Sequence, residues 1–305
     1  MTRGENPTEA SEEMLRGTVI RGMGGLYTAR TASGEEYVLR CKKKFRRMHM
    51  SPLVGDEIDF TPGEKDEHGW LEEILPRKTE CLRPPVANVG LLLIVVAPEP
   101  EPDLILVDRL MMRARAQDLE TVLVVNKCDL DASLAPKLEK QYAQADTAVF
   151  PVSAANHAGL DALKSRMGTT LCCLTGQSGV GKSTLLNALF GFHLETGEIS
   201  EKIKRGKNTT RHAELLQSGD MRVLDTAGFS LLENEDKLDP ITVKELWPDF
   251  APYEGQCRFA PCYHASEPGC AVTAAVEAGK LDGERVARYR QLLDEVRQAW
   301  RERYD

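Results

Sequence analysis

A glycine-rich run, Gly176-Gln177-Ser178-Gly179-Val180-Gly181-Lys182-Ser183, leaves this chain few architectures. It fits the pattern G-x-x-x-x-G-K-[ST]. It follows an apolar stretch, Thr170–Thr175, that reads as a strand, and opens Lys182–Phe190, which reads as a helix. Glycines let backbone amides converge on phosphate oxygens, and the helix N-terminus adds its dipole. Lys182 is expected to reach the outer phosphates and Ser183 to ligate Mg²⁺, with Thr184 completing the lining. A phosphate loop of this kind sits in an α/β sheet, and the neighbouring sequence supplies one. Apolar strands at Val89–Ala97, Thr121–Val125 and Ala148–Val152 alternate with helices at Asp103–Ala116, Leu134–Ala143 and Leu160–Met167. The alternation predicts a parallel sheet covered on both faces.

The sequence on either side has a different character. Leu15 to about Leu82 reads as five short strands, Gly17–Arg21, Leu26–Ala29, Glu36–Arg40, Asp56–Phe60 and Leu71–Leu75, separated by glycine-bearing turns. That density suggests a small β-barrel, of OB type or SH3-like. Arg83-Pro84-Pro85 reads as a linker. Beyond about Pro248 comes a Cys/His-rich segment and then helical sequence. There Val286, Tyr289, Leu293, Val296 and Trp300 form one apolar face, with Arg285, Arg288, Arg290, Arg297 and Arg301 largely off it. That helix reads as a cap on the body, or as one that also meets a partner. The expected division is a tail at 1–13, a barrel at 14–83, an α/β domain at 84–250 and a metal-binding helical module at 251–305.

Charge and composition exclude several classes. The 305 residues are 42% apolar and 28% charged, enough to bury a core and unlike a disordered chain. The longest apolar run is too short to cross a bilayer, and the polar, acidic first residues lack the apolar stretch of a signal peptide, so a cytoplasmic location is expected. The eight cysteines are then expected as thiols or metal ligands. The net charge of −8 argues against nucleic acid only on average. Two basic runs stand out, Arg40, Lys42, Lys43, Lys44, Arg46 and Arg47, then Lys202, Lys204, Arg205, Lys207 and Arg211. Each is a solvated face or a phosphate-binding surface.

Three further motifs give the phosphate loop a partner base. Asn126-Lys127-Cys128-Asp129 follows a strand, and a carboxylate at Asp129 can accept from both N1–H and N2–H₂ of guanine. Adenine offers no such pair, so the carboxylate would be left unpaired against it, which also disfavours an ATPase. Ser153-Ala154 follows the next strand, where a backbone amide can meet guanine O6. Val223-Leu224-Asp225-Thr226-Ala227-Gly228 is an apolar strand ending in Asp-x-x-Gly, in which Asp225 can hold Mg²⁺ through water and the Gly228 amide can meet a γ-phosphate. Separately, Cys257-x4-Cys262-x-His264-x5-Cys270 offers three thiolates and one imidazole, a donor set for one structural Zn²⁺ with no open position. Buried free thiols and disulfides are its alternatives. Cys41, Cys81, Cys128, Cys172 and Cys173 show no ligand spacing, and the last two read as core.

The base-reading motifs here precede the phosphate loop, which precedes Thr209-Thr210 and Asp225–Gly228. In translation-factor-type GTPases the base-reading motifs come last; here they come first with each block's internal order kept, which is a circular permutation. Joined to a barrel before it and a Cys/His module after it, the order resembles the RsgA (YjeQ) family of small-ribosomal-subunit biogenesis GTPases over about residues 15–300. The resemblance implies an OB-fold, a permuted P-loop GTPase domain and a zinc domain. It implies GTP hydrolysis stimulated by the 30S subunit during late maturation, contact with 16S rRNA, and a monomer. It also implies that Thr210 joins Ser183 and Asp225 at Mg²⁺. The family commonly carries a histidine before the paired threonines where this chain has Asn208, which can hydrogen-bond water but cannot serve as a base near neutral pH. His212 is nearby in sequence. Phe229 stands where many GTPases place a water-orienting Gln. Lys182, Asn208 and Thr210 are the expected hydrolytic residues. A rival reading is an RNA-binding assembly scaffold that binds guanine nucleotide and scarcely hydrolyses it.

Overall fold

Alternation of small apolar and polar residues builds the N-terminal unit. The computed structural model describes residues 14–48, 50–63, 67–82, 85–191, 213–226 and 238–302. Strands β1 (Leu15–Met23), β2 (Leu26–Thr31), β3 (Glu36–Cys41), β4 (Glu57–Thr61) and β5 (Gly69–Ile74) close in the order β1-β2-β3-β5-β4-β1. Only β3 and β5 pair in parallel. With period two, Val19, Ala29, Leu39, Ile58, Phe60 and Leu71 turn inward and are wholly buried. This closure is the OB-type barrel, which decides between the two barrels the sequence allowed. A five-residue helix, α1 (Lys43–Arg47), lies between β3 and β4 within the first basic run.

The expected linker is partly structured. β6 (Glu80–Leu82) and β7 (Pro85–Ala87) form a two-stranded antiparallel ribbon. Residues 83 and 84 lie outside the described residues. Pro85 starts its strand, where a missing amide does least harm. The Ala87 amide donates to the Val54 carbonyl at 2.9 Å, tying the ribbon to the barrel.

The central unit follows the predicted alternation: β8 (Leu91–Val96), α2 (Leu104–Arg115), β9 (Glu120–Val125), α3 (Leu134–Gln141), β10 (Ala148–Pro151), α4 (Leu160–Met167), β11 (Leu171–Gly176), α5 (Lys182–Phe190), β12 (Ala213–Ser218) and β13 (Met221–Thr226). The sheet order is β10-β9-β8-β11-β13-β12. Leu92, Ile94 and Val96 of β8 pack with α2 and α3, whereas Leu91, Leu93 and Val95 pack with α4 and α5. Two covered faces explain why the strand is apolar without interruption. The strands β8, β9, β10, β11 and β13 pair in parallel as expected, and at one end the sheet adds β12, which runs antiparallel to β13. Its far side pairs with β1 at Arg21 and Glu214, so barrel and central domain share one sheet of 11 strands. Along the chain, successive strands leave β8 in one direction and then return to its other side at β11. The crevice beyond the C-terminal ends of β8 and β11 is therefore a topological switch point, where open α/β sheets bind ligands.

The C-terminal unit has its own core. Two 3-10 turns, Val243–Leu246 and Pro248–Tyr253, precede α6 (Ala271–Glu277) and α7 (Gly283–Arg301). Val243, Trp247, Phe250, Val272, Tyr289 and Leu293 meet there, together with Met112 of α2. Asp282 caps α7 by accepting from the Arg285 amide at 2.8 Å. Placing Arg285 and Arg288 off the apolar face is corrected. Arg285 is 2% exposed and the Arg288 side chain 11%. Buried Asp108 of α2 and Asp249 are their partners. A helical wheel cannot reveal an arginine whose counter-charge lies on a distant segment.

Candidate nucleotide site and metal centre

The phosphate loop leaves β11 at Gly176 and enters α5 at Lys182, as the motif requires. Two glycines are fixed by what surrounds them. At Gly176 the backbone has φ of 134°, and a Cβ would lie 2.1 Å from the Val95 carbonyl oxygen. At Gly181, with φ of 89°, a Cβ would lie 2.6 Å from Asn126 Nδ2. Lys182 Nζ donates to the carbonyls of Gly176 and Gln177, both at 2.8 Å. Burial holds its ammonium below the usual lysine range. It is thus a cation folded back into its own loop, available to exchange two carbonyls for phosphate oxygens. Ser183 is half-buried beside it, and Ser178 and Thr184 are exposed.

Asn126 joins the separate motifs. It sits at the end of β9, 1% exposed. Its Nδ2 donates to the Val180 carbonyl at 2.9 Å, and its Oδ1 accepts from the Ala154 amide at 3.1 Å. One side chain thereby locks the phosphate loop to the Ser153-Ala154 loop. Ser153 is fully buried, and its own amide donates to the Ala158 carbonyl at 3.0 Å. Lys127, at φ of 58°, sends Nζ to the Gly179 carbonyl at 2.9 Å and the Glu99 carbonyl at 2.7 Å. Its stem therefore lies across the mouth of the loop. Asp129 is exposed at the rim, open to a base. The structure thus brings Asn126, Lys127, Asp129, Ser153, Ala154 and Gly176–Thr184 to one edge of the sheet.

The remaining candidates fall elsewhere. Asp225 is the penultimate residue of β13, next to β11 in the sheet. Asn208, Thr209, Thr210, His212, Gly228 and Phe229 lie outside the described residues, as does the second basic run. Sequence reasoning missed the contact of Gln177, whose Oε1 accepts from the Asp103 amide at 3.3 Å. No local pattern signals a bond between residues so far apart in the chain.

Cys257, Cys262, His264 and Cys270 converge, their ligating atoms all within 4.8 Å of one another. His264 Nδ1 lies 3.6 Å from Cys257 Sγ and 3.4 Å from Cys270 Sγ. A tetrahedral zinc site with ordinary bond lengths has nitrogen–sulfur edges of about 3.6 Å, so the set fits that ion. The Ala271 amide donates to Cys257 Sγ at 3.3 Å, a contact suited to a thiolate. Burial, foremost among its causes, pushes the Cys262 thiol up to about 12, and lowers His264. The four donors could together hold one zinc ion.

Comparison with known proteins agrees with this geometry. A family model described as "RsgA GTPase" matches residues 74–235, and one described as "RsgA N-terminal domain" matches residues 16–71. The chain is 41% identical over 288 residues to the small ribosomal subunit biogenesis GTPase RsgA of Moorella thermoacetica, covering 92% of this chain and 97% of that protein. It is 39% identical over 285 residues to its namesake in Ruminiclostridium cellulolyticum, covering 92% and 93%. Among solved structures it is similar to YjeQ from Thermotoga maritima, with a TM-score of 0.80 and 32% identity over 93% of this chain and 99% of that one. It is also similar to YloQ, described as a circularly permuted GTPase, with a TM-score of 0.77 and 28% identity over 96% and 98%.

Proposed function

We infer the role of this chain from one premise: it belongs to the RsgA family of GTPases, and it is a GTP hydrolase of small ribosomal subunit biogenesis. The observation that carries the reading is Asn126, which fastens the phosphate loop to the base-side loop in a single rigid cradle. Catalysis of phosphoryl transfer is chiefly positioning and charge stabilisation. Gly176–Ser183 presents amides to the phosphates, Lys182 turns from its loop carbonyls to the β- and γ-oxygens, and Asp129 accepts the guanine edge. Mg²⁺ accompanies GTP in such sites and would neutralise phosphate charge. Ser183, Asp225 and Thr210 are the residues suited to hold it. Asn208 is the proposed water-orienting group, and the four-residue Cys/His cluster holds one structural zinc.

The proposed partner is the 30S subunit, gripped through 16S rRNA, with the protein acting as a cytoplasmic monomer. The barrel supports this. Lys43, Lys44 and Arg47 are exposed on α1, and Arg40 is in register with Trp70, itself 46% exposed. An exposed indole beside cations suits RNA, by base stacking and phosphate contact.

GTP turnover measured with and without 30S subunits tests the reading. Stimulation that disappears in Lys182→Ala is expected. Binding without turnover in either condition would leave only a scaffold. In single-turnover assays with 30S, Asn208→Ala is expected to slow hydrolysis at least ~10-fold, about 1.4 kcal/mol in barrier. An unchanged rate would remove Asn208 from the mechanism.

A further inference from the structure

Helix α2 touches the phosphate loop at one end and the C-terminal module along its flank. At its start, the Asp103 carboxylate caps the helix by accepting from the Leu106 amide at 2.9 Å. The Asp103 amide in turn donates to Gln177 Oε1 of the phosphate loop at 3.3 Å. The residues leading into the helix are held as well, because Lys127 Nζ bridges the carbonyls of Glu99 and Gly179. Five residues into the chain from that cap, roughly 7.5 Å along the axis at the rise of an α-helix, stands Asp108. It has no exposed surface, and its two oxygens accept from Arg285 and Arg288 of α7.

Arg285 is fixed from every side. Its Nε and Nη2 donate to Asp249 at 2.9 and 3.0 Å, and its guanidinium lies over the rings of Tyr142 and Trp247 at 4.5 and 5.2 Å. Met112, one turn beyond Asp108, belongs to the module's core, and Arg109 pairs with Glu295 at 2.8 Å. Water cannot replace a buried carboxylate–guanidinium pair, so the pair sets the axial position of α2 closely. A single helix then carries that position to the backbone that the phosphate loop leans on.

We propose that Asp108, Arg285 and the Gln177 side chain are positioning residues, through which the C-terminal module holds the phosphate loop in its nucleotide-binding geometry. The inference rests on nucleotide binding at that loop. Coupling between two sites is reciprocal, so filling the loop must also steady the module.

The test is amide hydrogen exchange on the full chain, with GDP affinity measured by titration of a fluorescent GDP analogue. Bound GDP slows exchange everywhere by mass action, and strands β2 and β3 report that general effect. In the wild type, residues 283–301 are expected to slow by a larger factor than those strands. In Gln177→Ala, at GDP concentrations shown by titration to saturate it, the excess is expected to vanish. Asp108→Asn is expected to weaken GDP about 10-fold while exchange in the barrel stays as it was. No excess slowing in the wild type overturns the proposal. So does an equal excess in Gln177→Ala, or unaltered GDP affinity in Asp108→Asn. If the wild type binds no GDP, the nucleotide reading itself falls, and this proposal with it.

Discussion

Asn126 shows how much one side chain can settle. It is nearly unexposed and makes two hydrogen bonds to loops from different parts of the chain. Asn126→Ala removes both and leaves the Ala154 amide without its partner. At about 1 kcal/mol for each bond, GDP binding is expected to weaken by roughly 10–100-fold, measured by titration. Asp129→Asn is expected to act differently, weakening GTP and favouring xanthosine triphosphate, whose C2 carbonyl suits an amide donor. Unaltered GTP affinity would count against Asp129 as the base reader. The cysteines can be sorted on the same grounds. Burial pushes the thiols of Cys81 and Cys172 up to about 11 and about 12, and Cys173 has no exposed surface. Since the thiolate is the reactive form, these three are expected to resist alkylation at pH 8. Cys41 and Cys128 are half-buried and are expected to react first, Cys128 more slowly because burial and then Asp129 raise its thiol. Peptide mass mapping after brief alkylation reads the pattern. Labelling at Cys172 ahead of Cys128 would contradict it.

At the scale of elements, α4 and α5 have the bounds the sequence suggested, because each has a glycine at positive φ at its entry and another just beyond its last residue. Helix α1 was not legible. Five residues, four of them cationic, hold no periodic signal. It follows directly on β3, whose Arg40 is in register with the exposed Trp70, and leaves Lys43, Lys44 and Arg47 exposed. Reversing these three charges is expected to weaken 30S binding and flatten its dependence on salt, with nucleotide affinity hardly changed. Trp70→Ala is expected to weaken binding with the salt slope intact, since stacking releases no counterions. Sedimentation binding at several salt concentrations separates the two effects. If both persist unchanged, the run is a solvated face.

For the whole molecule, the C-terminal module depends on its ligands and on one buried ion cluster. Cys262→Ala is expected to release zinc and to open residues 238–302 to exchange while the barrel stays protected, because metal affinity there is folding energy. A fully protected module without metal, by elemental analysis, would refute the structural zinc. Asp108→Ala, which strands the Arg288 guanidinium and leaves Arg285 with Asp249 alone, is expected to cost about 3–5 kcal/mol in the module's opening free energy, read from the same exchange data. Motif, order and spacing alone located the phosphate loop, the Asp129 carboxylate proposed to read the base, the permutation and the four Cys/His donors that could hold a metal. Each is a short run of residue types whose chemistry is nearly independent of the rest of the chain. The alternating strands and helices were equally plain, since period and apolar continuity are local properties. Tertiary structure alone decided the type of barrel, the antiparallel β12 that joins barrel to sheet, and the burial of Arg285. It also decided the contact of Asp103 with Gln177. Each of these depends on partners that only the folded chain brings together: strand pairing sets the first two, and a distant carboxylate or amide sets the others.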